Sequence, residues 1–290
     1  MNVVTKKQLI LLLFFFNNYT SSTYQASLHN DSDEFITIAI LAKNKAHTLP
    51  VYLSCIEHQT WPAHKTYLYI RTNNNTDNTA HILREWIARV GKNYAKIYFD
   101  DTDITVPVQQ YGQHEWNYTR LKVLGIIRQE SVDWALAHNS HYFVADCDNF
   151  IYSDVIETMM YTRMPIIAPL LRCSGKHSST YYSNYHEAID HNGYYIPSVL
   201  YYNILDQSIK GLIEVPVVHC TYFVRREVLD KITYDDESAR YEYVIFSDSA
   251  RKQHIPQYID NRRVYGHLTF TENEEELLEE PYLNTFIPAQ

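Results

Sequence analysis

Glycine is scarce in this chain, with 7 among 290 residues. No Gly-x-Gly-x-x-Gly and no Walker-type loop is present. Dinucleotide-binding and P-loop readings therefore lose the glycine-rich backbone that cradles their phosphates. Cysteine is sparse as well: Cys55, Cys147, Cys173 and Cys220 follow no zinc-ligand spacing. Basic charge is in deficit, with 25 Lys and Arg against 34 Asp and Glu and a net charge of −9. A nucleic-acid binder normally shows the opposite balance. Long apolar runs are missing too. The longest, Leu9 to Phe16, is too short to span a bilayer.

What is present points to a secreted globular domain. Lys6 and Lys7 precede that short apolar run and polar residues follow it, which is the pattern of a secretory signal peptide over residues 1–23. The expected location is the secretory pathway, either the endoplasmic reticulum lumen or outside the cell, with no membrane span after cleavage. Sequons at Asn18, Asn30, Asn74 and Asn117 fit that route. Hydrophobic residues at 46% and charged residues at 20% suit a packed core. The 26 tyrosines suit surfaces on which sugars and bases stack.

Phe35 to Ala42 reads as a first buried strand, and Thr48-Leu49-Pro50 opens a helix. Tyr67 to Arg71 reads as a second strand. The helix after it carries Ile82, Leu83, Trp86, Ile87 and Val90 at helical spacing. A third strand is expected over 94–99, a loop over 100–115, and a long helix over 118–137. Later elements are a helix over 155–161, a strand over 165–170, a strand over 215–223 and a helix over 241–252. Residues 172–212, rich in Tyr, Ser and Asn, read as an excursion that walls a pocket. This order predicts an α/β fold with a mainly parallel central sheet and helices on both faces. The domain is expected over 34–270, with an acidic tail over 271–290.

The central feature is Tyr142-Phe143-Val144-Ala145 followed by Asp146-Cys147-Asp148. A buried strand ending in two acids one residue apart places carboxylates at the carboxyl end of a sheet, where α/β folds bind ligands. Hard divalent ions take one or two such carboxylates together with substrate phosphates. The expected chemistry is a metal–diphosphate site, with Asp146 and Asp148 as ligands and His267 as the best third one.

The motifs in order carry a family resemblance. They are Ile40-Leu41-Ala42-Lys43-Asn44, His47 with Leu49-Pro50, Asp77-Asn78-Thr79 with Arg84-Glu85-Trp86, and His114 with Trp116. Next come Asp146-Cys147-Asp148-Asn149, Tyr182-Ser183-Asn184, Gly193-Tyr194-Tyr195, Val215 to His219, and Tyr265-Gly266. Residues 36–268 thereby resemble the N-terminal domain of the procollagen galactosyltransferases, glycosyltransferase family 25. The resemblance extends to the cerebral endothelial cell adhesion molecule, a relative not thought to galactosylate collagen.

The resemblance implies a GT-A-like nucleotide-diphospho-sugar transferase fold. It implies Mn²⁺-dependent transfer of galactose from UDP-galactose to hydroxylysine in a collagen-like protein acceptor. It puts the metal on Asp146 and Asp148, and the donor nucleotide near Ala42, Lys43, Asn44, Asp77 and Asp146. Tyr182, Asn184 and His219 fall near the sugar or the acceptor. The family usually has paired aspartates before the late helix; this chain has Tyr241-Glu242. Glu242 is then the expected catalytic base, with Asp248, Asp235 and Asp236 as alternatives. A non-catalytic binding relative and a transferase for another sugar or acceptor are the competing readings.

Overall fold

The computed structural model describes residues 34–105, 117–173 and 181–286. The signal peptide expected over 1–23, the sequons at Asn18 and Asn30, and His114 with Trp116 lie outside these residues. The first half alternates as expected: β1 (Ile36–Ala42), α1 (Leu49–Glu57), β2 (Thr66–Thr72), α2 (Thr79–Val90), β3 (Lys96–Asp100), α3 (Tyr118–Ala137) and β4 (His141–Ala145). Then come β5 (Asn149–Ile151), α4 (Val155–Thr162), β6 (Ile166–Pro169), β7 (Leu171–Cys173), β8 (Tyr185–His186), α5 (Val199–Leu205), β9 (Leu212–Glu214), β10 (Val217–Val218) and β11 (Thr221–Val224). The chain closes with α6 (Arg226–Leu229), α7 (Glu242–Lys252), β12 (Gln257–Asp260), β13 (Gly266–Leu268) and α8 (Glu274–Leu278).

The main sheet runs β3-β2-β1-β4-β11-β6-β12-β9. Strands β1, β2, β3, β4, β6 and β12 share one direction; β11 and β9 oppose it. Strand β4 is buried at every position because both faces are covered. Its alternate residues sort to opposite sides. Tyr142 and Val144 join Val132 and Ala135 of α3 and Phe246 of α7. Phe143 and Ala145 join Tyr52 and Leu53 of α1.

The strand expected over 215–223 is broken. Pro216 has no N–H to give a ladder, and Cys220 sits in the left-handed region at φ 61°. The break separates β10, paired with β8, from β11 in the main sheet. It also turns the Cys220 carbonyl toward the Asp146 N–H, which donates to it at 2.9 Å. None of the four cysteines forms a disulfide.

A second sheet, β5-β13-β7, buttresses the carboxyl end of β4. A Cβ at Gly266 would stand 2.1 Å from the Phe150 carbonyl oxygen, so only glycine lets β13 approach β5 this closely. The stretch after 270 carries the expected acidic face, with Glu274 and Glu275 exposed in the first turn of α8. It is more than a solvated tail. Leu277, Tyr282, Leu283 and Phe286 are buried in the same core as Phe150, so the packed domain continues through Phe286.

Among the described residues no helix is long and apolar enough to cross a membrane. The sequon residue Asn74 is 8% exposed, and its amide donates to the Ile104 carbonyl at 3.2 Å. Asn117 caps α3 by accepting from the Arg120 N–H at 3.0 Å. Both side chains already serve the fold.

Candidate active site

The carboxyl ends of β1, β2 and β4 lie side by side, because β1 pairs with both neighbours in parallel. The loops that leave them form one continuous floor. Asn44, at φ 52°, accepts on its side chain from the Thr76 N–H at 2.7 Å, and its own N–H donates to Asn75 Oδ1 at 2.9 Å. Asp77 accepts from the N–H groups of Ala46 at 3.0 Å and Thr79 at 2.9 Å. The Lys45 N–H donates to Thr79 Oγ1 at 2.7 Å. Of the residues expected to line a nucleotide pocket, Ala42 is buried at the strand end and Lys43 is half-buried beside it. Enclosure, together with the charge of Arg120, lowers the Lys43 ammonium pKa. Asn44 and Asp77 stitch the two loops together.

The two acids do not continue a strand. The Asn149 N–H donates to the Asp146 carbonyl at 2.8 Å, so residues 146–149 form a tight turn between β4 and β5. Cys147 between them points inward, its thiol 3.5 Å from the Leu41 carbonyl, and burial pushes its pKa well up. The turn is pinned from both sides: by the Cys220 carbonyl on the Asp146 N–H, and by the Thr269 N–H on the Asp148 carbonyl at 3.0 Å. Each carboxylate takes its own cation. Arg128 Nη2 reaches Asp146 at 2.7 Å, and Lys45 Nζ reaches Asp148 at 2.5 Å.

Arg128 is not among the residues that the sequence motifs single out. It lies on the buried face of α3, in a stripe with Leu121, Gly125, Val132 and Ala135. A lone arginine at core spacing was the available signal. Its Nε stands 3.4 Å from Glu242 Oε1, so one enclosed guanidinium serves both Asp146 and Glu242. Glu242 is the first residue of α7 and 5% exposed. Burial raises its pKa and the Asp146 charge adds to this, while Arg128 pulls it back. The alternative acids are committed elsewhere. Asp248 is paired with Arg240, Arg251 and Lys252, and Asp236 with Arg240; Asp235 is exposed.

Beside the turn stands an aromatic wall. Tyr182 Oη lies 3.9 Å from Cys220 Sγ, and its ring meets Phe270 and His219 at 5.2 and 5.6 Å. His219 is 2% exposed, with Nδ1 2.9 Å from Cys220 Sγ and its ring 5.0 Å from those of His186 and Tyr243. Desolvation holds it neutral, well below the usual histidine range. Its Nε2 has no hydrogen-bond partner among the described residues. Asn184 is wholly buried scaffolding. Its amide donates to the carbonyls of Pro169 and Thr221, and its oxygen accepts from the Leu171 N–H.

The His267 ring is turned into an aromatic cluster. It stacks on Tyr282 at 4.3 Å and meets Tyr152 edge-on at 6.4 Å, and burial depresses its pKa to about 4. Asp146, Asp148 and His267 are not gathered into one ligand group. Among the described residues no three metal-capable side chains are.

A model of the glycosyltransferase family 25 N-terminal domain matches residues 34–288. The inactive glycosyltransferase 25 family member 3 of Mus musculus is 28% identical over 260 residues, covering 86% of this chain and 43% of the relative. Procollagen galactosyltransferase 2 of Homo sapiens is 29% identical over 259 residues, covering 86% and 41%. The chain spans less than half the length of these curated relatives. Among solved structures, S. aureus TarS 1–349 in complex with UDP-GlcNAc is similar, with a TM-score of 0.52 at 10% identity over 84% of this chain and 60% of that one. That likeness is one of fold, the GT-A arrangement of a mainly parallel sheet between helices. The family match runs from the residues before the first strand to those after the last helix, and by it this chain belongs to glycosyltransferase family 25 as an N-terminal domain.

Proposed function

We propose that the chain is a hexosyltransferase of the secretory pathway that takes galactose from UDP-galactose and delivers it to hydroxylysine in a collagen-like acceptor. The observation that carries this reading is the acid turn. It sits at the carboxyl end of the central strand, with Lys45 and Arg128 on its two carboxylates and Glu242 one guanidinium away. Two cations beside an acid pair, with a buried carboxyl close by, support a reading as a diphosphate site with a proton transfer beside it. The similarity to procollagen galactosyltransferase 2 supports the choice of donor and acceptor.

The turn suits a hard divalent ion. Its two carboxylates have side chains 32% and 26% exposed, their oxygens are of the type Mn²⁺ prefers, and each already attracts a cation. Asp146 and Asp148 would hold the metal, which when bound supplies positive charge against the departing UDP. Lys43 and the loop of Asn44 and Asp77 bind the nucleotide, and Tyr182 with His219 walls the sugar side. Glu242 accepts the proton of the attacking hydroxyl. Its raised pKa favours that role, because a carboxylate buried from water is a stronger base.

A second reading, a binding protein without turnover, draws on the similarity to an inactive family member and on the enclosure of Glu242. Release of UDP from UDP-galactose, with Mn²⁺ and a hydroxylysine-containing collagen peptide, separates the two. Peptide-stimulated release that falls by at least about 100-fold in Asp146→Asn/Asp148→Asn is the expected result. Release unchanged in that variant would refute the assignment, and silence of a folded wild-type chain would favour the binding protein.

A further inference from the structure

The acid turn is already electrically balanced. Asp146 and Asp148 carry two negative charges, and Arg128 and Lys45 return two positive ones at 2.7 and 2.5 Å. Lys45 is no loose surface lysine. Its N–H is tied to Thr79, its carbonyl accepts from Thr48 and Leu49 at 3.1 and 2.9 Å to start α1, and its side chain is 25% exposed. The two cations differ in freedom. Arg128 is a planar fork, 6% exposed and held between two acids, whereas Lys45 ends in a compact ammonium on a flexible stem.

Resting on the reading above, we infer that Lys45 is a resident stand-in cation: it neutralises Asp148 in the empty site and moves onto the diphosphate when a nucleotide donor arrives, so that divalent metal and donor enter as one charge-neutral unit. A divalent ion entering alone has to displace the ammonium and leave Lys45 facing it unpaired. A diphosphate entering alone brings negative charge against two carboxylates. Entering together, the two change the net charge by nothing, and Lys45 exchanges one oxyanion for another. The cost of unpaired charge in a partly enclosed site makes each ligand favour the other.

The test is Mn²⁺ binding to the full chain, followed by loss of the free-ion electron paramagnetic resonance signal, with and without UDP. In the wild type, UDP is expected to raise Mn²⁺ affinity by about tenfold or more, a usual size for coupling between two sites. Lys45→Met is expected to bind Mn²⁺ alone about tenfold more tightly and to lose most of the coupling. Lys45→Arg, which keeps the charge, is expected to behave as wild type, and thermal melts of all three report folding. Unchanged Mn²⁺ affinity and unchanged coupling in a folded Lys45→Met would overturn the inference and leave the donor reading intact. A wild-type chain that binds neither Mn²⁺ nor UDP would instead overturn the donor reading, and this inference with it.

Discussion

Arg128→Met removes the guanidinium between Asp146 and Glu242 while keeping much of its volume. Asp146 has a side chain 32% exposed and can rehydrate. Glu242, at 5% exposure, cannot. Removing one member of a buried ion pair costs about 3–5 kcal/mol, most of it the penalty of the charge left behind. That penalty is titratable. Burial already holds the Glu242 pKa above its ordinary 4.5, and loss of Arg128 lifts it further. A carboxyl whose folded pKa exceeds its unfolded value destabilises the fold at high pH, and the penalty fades as pH falls toward the unfolded value. Urea denaturation should therefore show a loss of about 3 kcal/mol near pH 8 and distinctly less near pH 5.5. Adding Glu242→Gln should restore about 2 kcal/mol near pH 8, because the amide carries no charge to strand. An equal loss at both pH values, with no recovery in the double variant, would refute this account of the site.

Two further outcomes are expected. Burial holds His186 near a pKa of about 4 and His219 well below 6.5, so the unfolded chain takes up protons that the folded chain refuses. Stability is thus lost as pH falls below about 6.5, at ~1.4 kcal/mol per pH unit for each histidine. Urea midpoints between pH 7 and 5 measure this, and a flat profile would contradict it. His267→Phe keeps the stack on Tyr282 and should leave Mn²⁺ affinity within about twofold, whereas a drop of tenfold or more would mean that His267 reaches the metal after all.

Much of the fold was readable from local pattern. The apolar runs of β1, β2 and β4 and the spacing of Leu83, Trp86 and Val90 report burial directly, because period 2 and period 3.6 are set by neighbouring residues. The acid pair was readable for the same reason, standing where an apolar run stops. Its partners were not. Lys45 and Arg128 lie 103 and 18 residues from their acids, and nothing local states that distant charges meet. The run 215–223 looks continuous in composition, and only its tertiary contacts, with Asn184 on one side and Asp146 on the other, account for the left-handed Cys220. Asn184 resembles a ligand-binding residue by its position in a motif, yet four hydrogen bonds spend its whole side chain on the scaffold. The stretch after 270 looked like a charged tail because its glutamates outnumber the four apolar residues that anchor it.

The turn between β4 and β5 has a consequence for the order in which the chain is made. Asp146 is fastened by Cys220, and Asp148 by Thr269, 121 residues further along. At about 5–20 residues per second, a ribosome needs roughly 6–24 s after Asp148 to supply that second fastening. Throughout the earlier part of this interval β4 has β1 on one side and an open edge on the other, until β11 arrives to close it. An open strand edge is a template for mispairing. The segment that carries the acids thus needs protection during synthesis.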